Sequence, residues 1–195
     1  MAWTKDDLAT LLSFKSHVDN DTIKIKEQIK KVLLQNKYII HVLHNKELED
    51  ADAEPDDYFG VCILPYYIIN PTQTSVKTFL CYEVSFDELQ KGNKYVKYTE
   101  IVFHILTHYG DSIDPETGIA RHDLLAALVQ DQFNYTNYFG SKVRLIADVA
   151  SMVDNNYACR TLTFQQIADN NLVKTRDDIP RLANKEIHTL AEVTE

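Results

Sequence analysis

Phe79-Leu80-Cys81-Tyr82-Glu83-Val84-Ser85-Phe86 places an apolar side chain at every even position, while Ile101-Val102-Phe103-His104-Ile105-Leu106-Thr107-His108 carries its larger apolar load at the odd ones. Alternation of period two is the pattern of a strand with one buried face, so both runs read as strands, joined by a turn at Gln90-Lys91-Gly92-Asn93. The period then changes. Leu124, Leu125, Leu128, Val129 and Phe133 recur at helical spacing, with Arg121, His122, Asp123, Gln130 and Asp131 largely on the other side. Asp111-Ser112-Ile113-Asp114-Pro115-Glu116-Thr117-Gly118 leads into this helix; Asp123 suits the dipole of its first turn, and Arg121 and His122 are expected to face solvent or a partner. After Gly140, Lys142 to Ala147 and Ala158 to Phe164 are two further β runs, linked through Met152-Val153-Asp154-Asn155-Asn156 as a loose hairpin. The helix is expected to lie across a sheet, with Leu125, Leu128, Val129 and Phe133 against Leu80, Tyr82, Val84, Ile101, Phe103 and Ile105.

Upstream, residues 4 to 18 form a short amphipathic opening that docks elsewhere, Thr4 and Asp7 being spaced as a capping box ahead of Leu8, Leu11, Leu12 and Phe14. From Thr22 to about His44 a single long helix is predicted, with Asp21 as its N-cap: Ile25, Ile29, Val32, Leu33, Asn36 and Ile40 fall on or near one stripe, with the lysines largely off it. Glu47 to Asp57 holds seven acids and no base, the composition of a solvated loop; the Gly-containing spacing of a calcium-binding EF-hand is absent. Phe59 to Ile69 is a nearly continuous apolar run closed by Asn70-Pro71, and Pro65 confines that strand to an edge or a bulge. The fold class is α+β: a mixed, mainly antiparallel sheet in β-β-β-α-β-β order, backed by a long N-terminal helix and a second helix. Residues 1–168 are expected as one domain with an N-terminal helical extension. Residues 169–195 are expected as a C-terminal arm or disordered tail, with Ile187, Leu190 and Val193 hinting at a short helix.

With 195 residues, 45% hydrophobic and 25% charged, the chain has the make-up of one soluble domain. Its 29 acids against 20 bases give a formal charge of −9, which disfavours adhesion to nucleic acid through phosphate contacts. No apolar run approaches the roughly 18 residues of a membrane span, and the first residues lack the basic and apolar segments of a signal peptide, so residence in a cytoplasm is expected. Cys62, Cys81 and Cys159 are scattered through β-like runs and read as reduced, buried thiols.

Catalytic patterns are weak. His104 and His108 have the spacing of a zinc helix but lack its Glu, and on a strand residues four apart lie roughly 13 Å apart, too far to share one tetrahedral ion. His122-Asp123 is similar to the dipeptide of the metal phosphohydrolases named after that pair, yet those are all-helical bundles with further helical ligands that this chain does not supply. There is no nucleophile elbow and no phosphate-binding glycine-rich loop among five glycines. No catalytic, cofactor-binding or metal-binding residue is assigned, and no cofactor. Eleven tyrosines, notably Tyr66, Tyr67, Tyr135, Tyr138 and Tyr157, suit half-buried sheet positions or interfaces.

Ile63-Leu64-Pro65-Tyr66-Tyr67-Ile68-Ile69, the lead Asp114-Pro115-Glu116-Thr117-Gly118-Ile119-Ala120-Arg121-His122-Asp123, and the closing Tyr157-Ala158-Cys159-Arg160-Thr161-Leu162-Thr163-Phe164 stand in an order that resembles the tail-terminator and neck (head–tail connector) proteins of tailed bacteriophages, over about residues 22 to 166. That resemblance implies a non-enzymatic virion protein of the tail and neck, assembled in the host cytoplasm. It implies a homo-oligomeric ring, a hexamer by preference, that caps the tail tube and joins it to the neck proteins while double-stranded DNA passes through without specific binding. Acids would then face the lumen, Glu47 to Asp57 first and Asp111 to Glu116 second. Two alternatives stand beside it: another neck ring, such as a head-completion or adaptor protein, and a small metal-dependent hydrolase using His104, His108, Asp111, Asp114 and His122.

Overall fold

In a computed structural model, the chain is described over residues 4–13, 21–67, 76–88, 96–153 and 156–169. The elements are α1 (Lys5–Ser13), α2 (Asp21–Gln35), α3 (Lys37–Leu43), α4 (Lys46–Asp50), β1 (Ile63–Leu64), β2 (Thr78–Glu88), β3 (Val96–His108), α5 (Arg121–Phe133), β4 (Arg144–Met152) and β5 (Tyr157–Asp169), with 3₁₀ turns at Pro55–Tyr58 and Tyr109–Asp111. Phe14, Ile68 to Pro71, the turn at 90–93, Asp154, Asn155 and the tail with Ile187, Leu190 and Val193 lie outside the described residues.

The alternating runs pair as their patterns require. β2 and β3 are antiparallel, with Leu80 opposite Ile105, Tyr82 opposite Phe103 and Val84 opposite Ile101. β5 lies along the other side of β3, Phe103 facing Leu162 and Ile101 facing Phe164, and β4 pairs with β5 at the outside. β1 runs parallel to β2 at the opposite edge, so the order is β1-β2-β3-β5-β4 and the sheet is mixed, mostly antiparallel. Matching parity places Leu80, Tyr82, Ile101, Phe103, Ile105, Leu162 and Phe164 on one face, where α2, α3 and α5 bury them. Phe103 is the hub of that layer, with ring centroids 5.1 Å from Phe133 and 5.7 Å from Phe164. On the other face, the described residues form a cluster at one end, of Leu64, Cys81, Leu106, Tyr157 and Cys159 with Tyr67 and Phe79.

Three expectations are corrected. The long helix is broken at Asn36, whose extended backbone and side-chain oxygen cap a new helix through the N–H groups of Tyr38 and Ile39. Asn competes for local backbone donors, so it ends one helix and starts the next although its place in the stripe suits continuation. Asp21 is the first residue of α2, and its side chain lies outside the described residues. The acidic stretch is not a bare loop: Asn45 caps α4, and Glu54 and Asp57 form a capping box on the 3₁₀ turn, whose Tyr58 is buried. Among the described residues the apolar run from Phe59 pairs with β2 over two residues, Ile63 and Leu64. Phe59 to Cys62 are taken up in turns, Gly60 supplying a φ of +86°, and the strand ends at Pro65, which lacks an N–H.

Along α5 the buried positions are Arg121, Leu125, Ala126, Val129 and Phe133, while Leu124 and Leu128 are half-buried at the margin, as is Val84. Leu128 is therefore not the central contact expected of it. Leu125→Ala should cost about 2 to 5 kcal/mol and Leu128→Ala less than about 2 kcal/mol, measured by urea unfolding; equal losses would show that the helix packs by another face.

Candidate functional site

The loop from Asp111 to Ala120 and the first turn of α5 bring together most of the charged groups singled out above. Arg121 is 1% exposed, contrary to its expected place in solvent, because it shares the i, i+4 stripe of Leu125, Val129 and Phe133. Its Nη1 lies 3.2 Å from Asp114 Oδ1 and donates to the Val42 carbonyl at 3.3 Å; its Nε lies 3.4 Å from Asp111 Oδ2. Asp111 Oδ2 is also 2.7 Å from His44 Nδ1. Asp114 accepts from the Thr117 hydroxyl at 2.7 Å and its N–H at 2.9 Å, and Gly118 closes the turn at a φ of +70°. The Thr117 hydroxyl, then its N–H and Arg121, hold the Asp114 carboxyl below its ordinary value of 3.8 against the opposing effect of burial.

The other expected ligands are elsewhere. His104 and His108 lie on β3 and, by parity, on the far face of the sheet. His104 stands 3.2 Å from the Thr161 hydroxyl, 3.7 Å from Glu83 and against the Tyr67 ring; burial lowers its pKa while Glu83 opposes that shift. His108 accepts from the Gly110 N–H and packs between Tyr109 and Tyr157. His122 sits beside Asp123 at 3.5 Å. Among the described residues no three His, Cys, Asp or Glu side chains are grouped to hold a metal ion. Cys62, Cys81 and Cys159 are buried free thiols, and burial pushes the Cys62 thiol up. Of the tyrosines, Tyr157 is core, Tyr67 is half-buried, and Tyr66, Tyr135 and Tyr138 are exposed.

The second feature is the outer edge. Arg160 on β5 makes a bidentate pair with Asp148 on β4 at 2.7 and 2.8 Å, and bonds Asp123 of α5; Gln130 of α5 reaches Asp148 at 2.8 Å. Two carboxylates raise the Arg160 pKa, and Arg160 lowers that of Asp148. This network clamps β4 to the helix layer, yet among the described residues β4 pairs with a strand on one side, β5, and leaves Ile146, Val149 and Met152 at 51%, 54% and 73% exposure. The Leu145 N–H donates to Asn134 at 3.0 Å, and beyond it this edge has no outer partner strand among the described residues and carries exposed apolar side chains, a surface suited to another chain.

The YomW family model matches residues 8–166. The chain belongs to the YomW family. No curated protein matches it. The matched span includes both the Arg121 cluster and the whole of β4, so both belong to the part of the chain that the YomW pattern covers. No helix among the described residues is long and apolar enough to cross a membrane.

The Arg121 cluster was missed as a unit, although its signal is present: a basic residue on the buried stripe, directly after a loop carrying Asp111 and Asp114. Arg121→Met should leave both carboxylates without their buried cation and cost about 3 to 5 kcal/mol in urea unfolding. Asp114 has the lower pKa when folded, so its contribution is complete above the ordinary value of 3.8 and is lost as pH falls through the folded-state value. Asp114→Asn should accordingly reduce the loss of stability between neutral and acid pH; an unchanged acid dependence would count against this pairing.

Proposed function

We propose that this YomW-family chain is the repeating subunit of a structural ring at the head–tail junction of a tailed bacteriophage. In this reading a homohexamer terminates the tail tube, contacts the tube protein and neck proteins, and leaves a central passage for double-stranded DNA. The observation that carries it is β4: an edge strand held to α5 through Asp148 and Arg160, with exposed Ile146, Val149 and Met152 and no outer partner strand among the described residues, on a subunit whose opposite edge, β1, is two residues long. Two unlike edges favour a heterologous contact, which closes into a ring when the rotation between copies permits. The β-β-β-α-β-β order and the excess of acids agree with the resemblance. Another neck ring would share these features, and imaging particles with labelled protein separates the two. The hydrolase reading has less support: among the described residues no three of its histidines and carboxylates are grouped to hold a metal ion, and Asp111 and Asp114 are paired with Arg121.

In the second candidate lumen segment, Asp111 to Glu116, Asp111 and Asp114 are paired with Arg121, so Glu116 is its exposed acid. Glu47 to Asp57 retains exposed acids, although Glu47 is paired with Lys77 at 2.6 Å.

Val149→Lys on the exposed edge should change stability by less than about 0.5 kcal/mol and yet shift the chain toward monomer in light scattering. A wild-type chain monomeric both free and in particles would remove the ring. Replacing the acids of residues 49–57 by Lys should slow DNA ejection from infectious particles in a salt-dependent manner, because basic groups at the passage gain phosphate contacts. Unchanged ejection with normal assembly would place that loop outside the lumen.

A further inference from the structure

The inward rows of the two central strands change character at one end of the sheet. On β3 the alternation that buries Ile105, Phe103 and Ile101 continues to Thr99, and on β5 the row of Leu162 and Phe164 continues to Gln166, so two polar side chains stand in core positions and face each other in register. Beside them, where the first half of α2 passes the start of β3 and the end of β5, the described residues enclose a cavity of about 610 Å³. That volume is in the range of a site for a small molecule. It shares no lining residue with the Arg121 cluster or with β4.

Thr99 and Gln166 both line this cavity and are 2% and 3% exposed. Ser141, whose hydroxyl donates to the Ile167 carbonyl at 2.6 Å, holds one end of the Gln166 amide, with its Oγ 3.2 Å from Gln166 Oε1. The other end, Nε2, has no hydrogen-bond partner, and neither has the Thr99 hydroxyl. A buried polar group left unpaired costs about 1 to 3 kcal/mol, and here two such groups stand in the wall of one cavity. Lys24, which is exposed, is the one charged side chain among the described lining residues. Ile25, buried, and Phe139, half-buried, give the wall its apolar part.

We propose that this cavity binds a small organic acid, whose carboxylate or phosphate oxygens accept from Gln166 Nε2, the Thr99 hydroxyl and the Lys24 ammonium while its carbon body lies against Ile25 and Phe139. An amide N–H and a hydroxyl without partners call for an acceptor, and an ionised acceptor makes the stronger bond. The sign of the charge follows from the lining, which offers a cation at Lys24 and no acid among the described residues. All the lining residues come from one chain, so the site does not depend on the ring reading and is complete in a single subunit.

Succinate, inorganic phosphate and, as an uncharged counterpart, succinamide are titrated into the full chain, with binding followed by calorimetry and by the NMR signal of the Gln166 side-chain amide. At least one of the two anions should bind saturably and move that signal, and succinamide should bind at least about tenfold more weakly. Succinate alone identifies a carboxylate as the recognised group, and phosphate alone a phosphate ester. Gln166→Leu and, separately, Thr99→Val should each weaken the binding at least about fivefold without lowering the urea midpoint, because each removes a polar atom that has no partner in the free chain. Lys24→Glu should weaken it as well and flatten its dependence on salt. Saturable binding of neither anion, or succinamide bound as tightly as succinate, would overturn the proposal. Binding that survives both Gln166→Leu and Thr99→Val would overturn this cavity as the seat.

Discussion

A guanidinium taken out of water must recover its hydration energy from opposite charge and hydrogen bonds close by, and Arg121 imposes that demand at the centre of this structure. It sits where three segments meet. Asp111 and Asp114 come from the loop before α5, the Val42 carbonyl from the end of α3, and the arginine itself from the first turn of α5. These contacts, in which Nη1 carries the hydrogen bonds and Nε and Nη2 have none among the described residues, fix the loop, whose Thr117 and Gly118 close around Asp114, and set the start of α5 against α3. The remaining stripe of Leu125, Val129 and Phe133 then lands on Phe103 and Phe164. Asp111 and Asp114 are held by Arg121, not by the histidines of β3.

The same layer accounts for the asymmetry of the sheet. Helices bury the centre of one face, leaving Phe86 exposed at its margin, whereas the other is covered at one end by the cluster around Leu106 and Tyr157 and presents half-buried or exposed side chains such as Glu83, Glu100, Thr161 and Thr163 elsewhere. The edges differ as well. β1 is short and ends at Pro65, while β4 is long, held to α5 through Asp148, Arg160 and Gln130, and carries the exposed Ile146, Val149 and Met152. A subunit with one open edge and an unburied apolar helix at its N-terminus has its hydrophobic surface satisfied only in part by its own fold. That incompleteness, more than any reactive group, directs the functional reading toward assembly.

Much of this was legible along the chain. Alternation at 79–86 and 101–108 marks the central strands and their buried parity, and the helical repeat ending at Phe133 marks α5. Pro65 marks an edge, and Thr4 with Asp7 marks the start of α1. What was misread concerns residues whose local pattern admits two outcomes. Asn36 fits a helical stripe and also caps a helix; Leu48 and Tyr58 lie among acids yet anchor them to the core; Arg121 lies on the buried stripe but carries a charge that ordinarily keeps it in water.

Periodicity is a property of neighbours along the backbone, so the sequence by itself determined which segments are strands or helices and which of their faces are apolar. The β-β-β-α-β-β order follows from that. Whether Arg121 is buried depends on Asp111, Asp114 and Val42 arriving around it, and whether β4 is an edge depends on β5 inserting between it and β3. Those outcomes arise from contacts between residues far apart in the chain, each stabilised only when the others are in place, and the tertiary structure alone decided them.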